Sequence, residues 1–252
     1  MVRVIMHGCN GVMGQVITGM AKDMEGLTIV AGIDLKNDKE NGYPVYASLE
    51  ECKEEADVVV DFASPKAADH LMDFCAEKKL GLVLCTTGLS EEQIKKVKET
   101  AEKTAVLRSA NMSLGVNLLL KLVKEAAKVL ASSGFDIEIV EKHHNQKKDA
   151  PSGTALALAE SMNEALGNQY HYVYDRSSVH EKRDPKEIGI ASVRGGSIVG
   201  DHDVIFAGKD EVITFNHTAY SKAIFAKGAL EAAKFLAGKE PGLYDMSDVV
   251  QL

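Results

Sequence analysis

The sequence concentrates chemically active side chains in one short stretch, EKHHNQKKDAPSGT, at residues 141–154. Two histidines and three lysines in this stretch stand out in a chain whose net charge is −8. Local positive charge on an acidic protein indicates an anionic small ligand. A lysine and a histidine a few residues apart can also supply an electrostatic clamp and a general acid. The stretch is therefore the first candidate for a catalytic site.

Ser152, Gly153 and Thr154 lie where a helix is predicted to begin. The first N–H groups of a helix have no partner within the helix, so its N-terminus can bind a carboxylate. We predict that this turn holds a carboxylate of the ligand. The alternative is a solvated loop in which Ser152 or Thr154 only caps the helix. No metal site is predicted, because adjacent histidines rarely converge on one ion and no cysteine or carboxylate beside them falls at ligand spacing.

A second candidate site is the glycine loop at residues 8–14, GCNGVMG, between the first predicted strand and the first predicted helix. Its glycines allow a tight turn and a close approach to a pyrophosphate, which the helix N-terminus can bind. Asn10 replaces the middle glycine of the commoner spacing. Asp34 ends the second predicted strand, 20 residues after Gly14, where an acidic side chain accepts the ribose hydroxyls of a dinucleotide. We therefore predict dinucleotide binding rather than a turn without a ligand.

Asp34 also indicates which nicotinamide cofactor binds. A carboxylate there hydrogen-bonds a free 2′-hydroxyl and repels a 2′-phosphate, and the next residue, Leu35, offers no cation. NADH is therefore favoured over NADPH, although Lys36 is close enough to soften the repulsion and leave dual use open. Two further loops, at residues 61–65 and 85–88, follow predicted strands at the edge where ligands bind in open α/β sheets. We expect them to contact the cofactor rather than to be polar connections only.

The pattern of apolar and polar residues, which predicts the helices and strands that position these side chains, changes after Asn111. Before it, short apolar runs alternate with helix-length segments, which favours a parallel sheet covered on both faces. After it, the pattern predicts a long helix, an alternating strand, a helix after Pro151, and strands joined by turns at Gly195-Gly196 and Gly208-Lys209-Asp210. The predicted fold class is α/β, a Rossmann-type parallel sheet domain with a second, smaller α+β domain built on a mixed sheet. The predicted strands are Val2–Met6, Leu27–Ile33, Val58–Phe62, Leu82–Cys85, Ala105–Leu107 and Phe135–Glu141, and the predicted helices cover residues 12–23, 66–78, 90–103, 113–131, 152–166 and 222–237.

Composition excludes several classes of protein. A chain of 252 residues that is 45% hydrophobic and 26% charged is an ordinary globular protein of one large or two modest domains. Its acidic balance argues against nucleic acid as a partner, and no run of 18 apolar residues predicts a membrane span. Four cysteines far apart, without a C-x-x-C pair and without a secretory signal, indicate reduced thiols and a cytoplasmic location.

Together these motifs resemble those of the dihydrodipicolinate reductase family of bacterial lysine biosynthesis, the 4-hydroxy-tetrahydrodipicolinate reductases. The similarity extends over essentially the whole chain. Its most specific part is HHNQKKDAPSGTA, which matches the family pattern H-H-x-x-K-x-D-A-P-S-G-T-A. The segments GCNGVMG, DFASP, CTTG, SANMSLGVN, SVRGGSIVGDH and GLYDMSDVV follow in the expected order.

The resemblance implies NAD(P)H-dependent reduction of 4-hydroxy-tetrahydrodipicolinate to tetrahydrodipicolinate in the diaminopimelate pathway, with a small anionic dicarboxylate as substrate. It implies His143 as proton donor and Lys147 as the second catalytic group. The carboxylates of the substrate would be held by His144, Lys147, Ser152, Gly153 and Thr154. The cofactor, NADH or NADPH, would be held by Gly8, Cys9, Asn10, Gly11, Val12, Met13, Asp34, Phe62, Cys85, Thr86, Thr87, Ser109, Ala110, Asn111 and Met112.

The resemblance also implies a domain division and an assembly. Residues 1–112 and 219–252 would form the dinucleotide-binding domain, and residues 113–218 the substrate-binding and oligomerisation domain of a homotetramer. The chain departs from the family pattern at three positions. Val12 stands where many relatives have a basic residue, and Lys222 stands where many have an arginine. Cys85 replaces the first glycine of G-T-T-G. None of the three removes the catalytic histidine or lysine.

Two alternatives compete with this prediction. Sugar-nucleotide epimerases and related short-chain enzymes share the glycine spacing, but their chemistry needs a tyrosine with a lysine four residues later. None of the seven tyrosines has one, so this alternative is weak. A diverged nucleotide-binding redox sensor or scaffold of the same fold is the second alternative. The intact His143, Lys147 and Ser-Gly-Thr turn argue against it. It stays open, because a protein can retain these residues and still have only weak activity.

Overall fold

The computed structural model describes residues 1–251, which form two compact units. The first unit comprises Met1–Leu114 and the segment that begins at Ala223, and the second comprises Gly115–Lys222. The strands of the first unit are β1 (Val2–His7), β2 (Leu27–Ile33), β3 (Val45–Tyr46), β4 (Val58–Asp61), β5 (Gly81–Leu84), β6 (Ala105–Leu107) and, near the end of the chain, β12 (Gly242–Tyr244). Its helices are α1 (Val12–Ala21), α2 (Pro65–Lys78), α3 (Glu91–Ala101), α6 (Ala223–Leu236) and α7 (Met246–Val249).

The first unit is built on a parallel sheet of seven strands in the order β12-β6-β5-β4-β1-β2-β3. Alternate residues of its strands enter two apolar clusters. Val4 and Met6 pack with α1 and α6 on one face, and Ile5 packs with α2 and α3 on the other. Both faces are covered, as a parallel sheet of apolar strands requires. Because β2 and β4 flank β1, the strand order reverses at β1, and ligands bind at the carboxyl end of such a strand.

The second unit is built on a mixed sheet of five strands in the order β11-β10-β7-β9-β8. Strands β7, β8 and β9 run parallel to one another, and β10 runs antiparallel to both β7 and β11. Its elements are α4 (Leu114–Leu130), a 3-10 turn (Ala131–Ser133), β7 (Asp136–His143), α5 (Gly153–Ala165), β8 (His171–Val173), β9 (Glu187–Arg194), β10 (Gly200–Ala207) and β11 (Val212–Ala219). The fold class predicted from the sequence is confirmed.

The buried face of strand β7 is apolar at its start and polar at its end. Its buried positions are Ile137, Ile139, Glu141 and His143, in strict alternation. The two isoleucines pack with α4 and α5. Since alternate side chains of a strand share one face, Glu141 and His143 continue that buried face toward the end of the strand.

The bounds of several elements differ from the predicted ones. Strands β4 and β5 end at Asp61 and Leu84, so Phe62 and Cys85 begin the loops that follow them. Helices α1 and α3 end at Ala21 and Ala101, two residues before the predicted ends, because the local pattern does not resolve the last turn of a helix. Strands β3, β8 and β12 were not predicted, since two or three residues show no periodicity.

The turn predicted at Gly195-Gly196 does not close a hairpin. Strand β7 lies between β9 and β10, and the two glycines pair instead with the chain that leaves β7. Gly195 N–H donates to the carbonyl of His143 at 2.9 Å, and Asn145 N–H donates to that of Gly196 at 3.2 Å. The Gly208-Lys209-Asp210 turn does close a hairpin, between β10 and β11. Within the described residues, no helix is long and apolar enough to cross a membrane.

Candidate active site

The glycine loop of the first unit is packed so closely that larger residues would collide. Gly8 has φ +80°, and a Cβ on it would lie 2.9 Å from the carbonyl oxygen of Phe62. A Cβ on Gly14 would lie 2.2 Å from the carbonyl oxygen of Gly8. Gly8 N–H donates to the carbonyl of Ile33 at 2.8 Å, which ties the loop to the end of β2. The glycines therefore bring the start of α1 against the carboxyl edge of the sheet.

The N-terminus of α1 is bare. Its N-cap residue is Gly11, no side chain caps it, and its first turn contains no acidic residue. Val12 in this turn is 83% exposed. Helix α3 differs, because Ser90 and Gln93 form a reciprocal capping box at its start. An uncapped, accessible helix start suits a phosphate, which the free N–H groups and the helix dipole attract.

Asp34, directly after β2, joins the two loops that meet at this edge. Its carboxylate accepts hydrogen bonds from Asn10 N–H at 2.9 Å and Lys36 N–H at 3.2 Å. The amide of Asn10 donates to the carbonyl of Lys36 and accepts from Asn41 at 2.8 Å. Lys36 thus approaches Asp34 through its backbone N–H, and the acidic character of the position is retained.

A cavity of about 390 Å³ opens beside Asp34. Its size falls within the range of small-molecule sites, and its walls are largely apolar. Leu35, at 91% exposure, projects at its margin. The lining includes His7, Gly8, Gly11, Ile33, Asp34, Leu35, Leu49, Phe62, Ser64, Ala67 and His70. The cavity can hold the nucleoside part of a dinucleotide whose phosphates lie on α1.

The end of β4 and the loop after β5 each contain a buried polar atom without a partner among the described residues. His7 Nδ1 lies 2.7 Å from Asp61 Oδ1, but Asp61 Oδ2 has no partner among the described residues. Thr86 Oγ1 is equally buried and unpartnered there. Buried polar atoms normally have a hydrogen-bond partner, so both atoms fit a site completed by a ligand. Burial raises the pKa of the Cys85 thiol well above its usual value, so Cys85 is a neutral thiol beside Thr86 and Thr87.

The remaining predicted cofactor residues, Ser109–Met112, follow β6. Asn111 Oδ1 accepts a hydrogen bond from Ser113 N–H at 2.8 Å, and the side chain of Met112 is buried. Gly228 of α6 lies directly on this segment, since a Cβ there would be 1.6 Å from the carbonyl oxygen of Met112. The first unit therefore brings four predicted cofactor segments to one edge of its sheet, after β1, β2, β4 and β5, and places this fifth one against α6.

His143, the last residue of β7, is buried in the second unit and bonded to a carboxylate. Its Nδ1 lies 2.5 Å from Glu141 Oε2. Arg194 donates to both oxygens of Glu141, at 2.8 Å and 2.7 Å, and Ser152 N–H donates to Oε1 at 3.2 Å. Burial alone would raise the pKa of Glu141, but hydrogen bonds from Arg194, Ser192 and His143 outweigh it and lower that pKa to about 2. Glu141 is therefore ionised at neutral pH.

His202 packs against the ring of His143. The two rings meet edge to face, with centroids 5.1 Å apart. Burial, with His143 nearby, lowers the pKa of His202 to about 4, so its ring is neutral at pH 7. Its Nε2 lies 3.0 Å from the hydroxyl of Ser152. That hydroxyl accepts a hydrogen bond from Ala155 N–H at 3.2 Å and so caps α5. The Ser152 side chain is thus engaged within the protein.

The other residues predicted to bind substrate lie on the segment between β7 and α5. Lys147 N–H donates to the carbonyl of His144 at 3.2 Å, and its ammonium lies 2.9 Å from Asp149. Gly153, the first residue of α5, is exposed, and the space beside its Cα is open for 4 Å. Thr154 follows it on the helix. The segment thus presents a cation and an accessible helix start next to a buried histidine.

Sequence reasoning missed the residues that surround His143. Glu141 carried a usable signal, since it lies two residues before His143 and two after Ile139 on an alternating strand. A carboxylate at a buried position requires a partner. Arg194 and His202 lie in the SVRGGSIVGDH segment that supported the resemblance, but nothing in that segment indicated a contact with His143, because only the pairing of β7 with β9 and β10 brings them together.

A dinucleotide-binding sheet with an uncapped glycine loop, followed by a unit that buries a histidine beside a lysine segment, defines a two-domain nicotinamide-dependent reductase. The family model described as "Dihydrodipicolinate reductase, N-terminus" matches residues 2–112, and that for the C-terminus matches residues 115–250. The chain belongs to the dihydrodipicolinate reductase family. The family, the enzyme class and the reductase function expected from the sequence are thereby confirmed.

Individual relatives agree with this assignment. The chain is 56% identical to the 4-hydroxy-tetrahydrodipicolinate reductase of Caldanaerobacter subterraneus subsp. tengcongensis, over 100% of this chain and 99% of that one. It is 49% identical to the enzyme of the same name from Clostridium tetani, over 98% and 96%. The solved structure of dipicolinate-bound dihydrodipicolinate reductase from Paenisporosarcina sp. TG-14 matches with a TM-score of 0.83 at 26% identity, over 98% of this chain and 99% of that one.

Proposed function

We propose that this chain reduces 4-hydroxy-tetrahydrodipicolinate to tetrahydrodipicolinate with NAD(P)H, in the diaminopimelate route to lysine. The observation that carries the proposal is the buried His143 at the end of β7, joined by a short segment to the accessible start of α5. A proton donor beside a carboxylate-binding helix start suits a heterocyclic dicarboxylate. The relatives named above carry the same activity in their names, and one was solved with dipicolinate, which is a dicarboxylate.

In the proposed mechanism the side chains of the second unit bind the substrate and move one proton. His143 Nε2 donates the proton that neutralises negative charge developing on the ring. Lys147 stabilises that charge and anchors a carboxylate with His144. The N–H groups at Gly153 and Thr154 hold the other carboxylate, while Ser152 shapes the turn.

The cofactor, when bound, supplies the hydride. We propose that its phosphates lie on Gly8–Met13 at the start of α1 and that its adenosine ribose bonds Asp34. The cavity beside Asp34, the collisions that a Cβ would make at Gly8 and Gly14, and the unpartnered Thr86 hydroxyl support this placement. The loops containing Phe62, Cys85–Thr87 and Ser109–Met112 would line the nicotinamide end.

NADH is the proposed preference. Asp34 presents a carboxylate where a 2′-phosphate would lie, and Leu35 offers no countercharge. The ratio of kcat/KM for NADH to that for NADPH measures this preference directly. A ratio above one supports the proposed role of Asp34, and a ratio below one contradicts it.

We also propose a cytoplasmic homotetramer that assembles through the second unit. Helices α4 and α5 pack on one face of its sheet, and by alternation the other face carries side chains such as Val140 and Ile205. The four cysteines are free thiols, which suits a reducing compartment. Sedimentation equilibrium that gives the mass of four chains would support the assembly, and the mass of one chain would contradict it.

The activity is tested in a coupled assay. Dihydrodipicolinate synthase generates the substrate from pyruvate and aspartate semialdehyde, and the absorbance of the reduced nicotinamide is followed. Oxidation that requires the synthase supports the function. Binding of NADH by the folded protein without such oxidation would instead favour the redox sensor or scaffold.

A further inference from the structure

Three side chains from two strands of the second unit form a connected series that ends at His143. Arg194 of β9 donates to both oxygens of Glu141 on β7, and Glu141 lies against His143 Nδ1. Arg194 is fixed further by its bond to the carbonyl of Asp149 at 2.7 Å, within the segment between β7 and α5. The series therefore links the histidine to the same segment that contains Lys147.

Packing alone does not account for a carboxylate at this position. Glu141 is 0% exposed and continues the row of Ile137 and Ile139. Removing an ion pair from water costs several kcal/mol per ion, and an apolar residue of similar volume often gives equal or greater stability. The Glu141–Arg194 pair is thus better explained by what it does to its neighbour His143.

The hydrogen bonds of Glu141 determine where the protons of His143 reside. An ionised carboxylate only accepts hydrogen bonds, so Nδ1 must carry the proton that faces Glu141. The proton on Nε2 is then the one that can be given away. His202, from β10, packs beside the ring, and Ser152 holds it through Nε2. Burial lowers the pKa of His202 to about 4, so it places no like charge against a protonated His143.

Space has been left at the other nitrogen of His143. Gly200, the first residue of β10, lies beside the ring, and a Cβ there would be 3.2 Å from Nε2 and 3.5 Å from Cδ2. A carboxylate therefore holds the ring at Nδ1. At Nε2 the neighbouring residue is a glycine, so no side chain from position 200 crowds this nitrogen.

We propose that Glu141, held by Arg194, is a positioning residue that fixes the orientation and the Nδ1–H tautomer of His143, so that Nε2 is the atom that donates the proton. The inference rests on the proposed role of His143 as proton donor. The donating form is the ring protonated at both nitrogens. After proton transfer from Nε2 to the substrate, the neutral ring keeps the proton on Nδ1, which stays hydrogen-bonded to Glu141. Nε2 takes up a proton from solvent before the next turnover.

Glu141→Gln tests the inference. Its amide oxygen would turn to the donors of Arg194, so its NH2 group would face Nδ1 and oppose the protonated ring. The kcat of the coupled reaction should fall about 100-fold or more, the loss expected for a disabled general acid, with KM for the substrate changed less than about threefold.

Glu187→Gln is the matched control. Glu187 begins β9 of the same sheet, is 3% exposed and bonds Arg176 at 2.5 Å, so this variant breaks a comparable buried pair. It should lower the melting temperature without lowering kcat. If kcat instead falls in both variants, in proportion to the decrease in their melting temperatures, the role of Glu141 is only structural and the inference is overturned.

Nitrogen-15 NMR of the histidines gives a readout that needs no Glu141 variant. Resonances absent from His143→Asn identify His143 in the native protein. The neutral ring should show a protonated Nδ1 and an unprotonated Nε2, and the opposite tautomer would overturn the inference. The possible failures are distinguishable. Failure of the proposed function leaves wild type without synthase-dependent oxidation, and failure of His143 as proton donor leaves His143→Gln active. Failure of the positioning role alone leaves His143→Gln inactive and Glu141→Gln active.

Discussion

The protein contains two buried pairs of a histidine Nδ1 and a carboxylate, one in each unit. In the first unit His7 lies 2.7 Å from Asp61, across neighbouring parallel strands in register. In the second, His143 lies 2.5 Å from Glu141, two residues away on one strand. Asp61 Oδ2 has no partner among the described residues, whereas Arg194 bonds both oxygens of Glu141.

The difference separates a site that needs a ligand from one that is complete without it. Asp61 retains unused hydrogen-bonding capacity at the edge of a sheet where cofactors bind, which fits a site completed by a bound molecule. Glu141 has every strong partner in place, so His143 is already oriented before substrate arrives. Preorganisation of this kind is expected of a proton donor. Under the proposed function, a histidine–carboxylate pair therefore serves binding in one unit and chemistry in the other.

Exchanging each histidine for glutamine should separate the two pairs most clearly. His143→Gln should lower kcat about 10²- to 10⁴-fold, the contribution of a general acid, with little change in substrate KM. His7→Gln should keep kcat within about threefold and raise the KM for the cofactor, because His7 lines the cavity in which we place the nucleoside. The coupled assay measures both variants. Equal losses of kcat in both would contradict the division.

Lys147 should show a mixed effect, since its proposed role is both to anchor the substrate and to stabilise charge. Lys147→Ala should lower kcat/KM about 100-fold or more, through both kcat and KM, the scale reported for loss of one electrostatic donor. Lys148→Ala, at the exposed neighbouring position, is the control and should remain close to wild type. Comparable loss in the Lys148 variant would show that only the local charge matters.

The space at His143 Nε2 should tolerate little change. Gly200→Ala would place a Cβ 3.2 Å from Nε2 and should lower kcat roughly tenfold, because small displacements of a catalytic group are costly. Gly195→Ala introduces a Cβ that meets nothing within 4 Å and should leave kcat unchanged. Normal turnover of the Gly200 variant with a normal melting temperature would argue against Nε2 as the donating atom.

The surroundings of His143 also predict how stability depends on pH. The pKa of His202 falls from an ordinary 6.5 to about 4 on folding. The unfolded chain therefore binds more protons between these values, so stability is greatest above pH 6.5 and decreases as the pH falls toward 4. Glu141, lowered from 4.5 to about 2, extends the loss to still lower pH.

Denaturant titrations of wild type and His202→Gln at pH 7 and pH 4 measure this contribution. Between pH 7 and pH 4 the free energy of unfolding should decrease in both proteins, and the decrease should be smaller in the variant by on the order of 3 kcal/mol. His180→Gln, at an exposed position, should behave as wild type. Parallel pH dependences for wild type and His202→Gln would contradict the burial of a neutral ring.

Motifs that act locally could be predicted from the sequence. The Gly8–Gly14 loop, Asp34 and the His143–Thr154 segment are short, and their residue types suffice to indicate a ligand. The Ser152 side chain illustrates the limit, because the sequence suggested either substrate contact or a helix cap, and the structure uses its hydroxyl for the cap and for His202.

Features that depend on strand pairing could not be predicted. Arg194 is more than fifty residues from Glu141 in sequence, and only the register of β7 with β9 joins them. The Gly195-Gly196 pair resembles a hairpin turn, but hydrogen bonding to the chain after His143 determines its path. Local propensity does not contain this information, because such contacts are settled by the whole sheet.

The interrupted first unit has a consequence for synthesis of the protein. Its core includes Ala226, Ala229 and Leu230 of α6, and β12 completes the sheet by pairing with β6. When the first 222 residues have been synthesised, the second unit is complete, but the nucleotide-binding unit still lacks β12, and one face of its sheet is covered by α1 without α6. The unit that begins first is thus finished after the second one, and its core closes only once α6 and β12 have been synthesised.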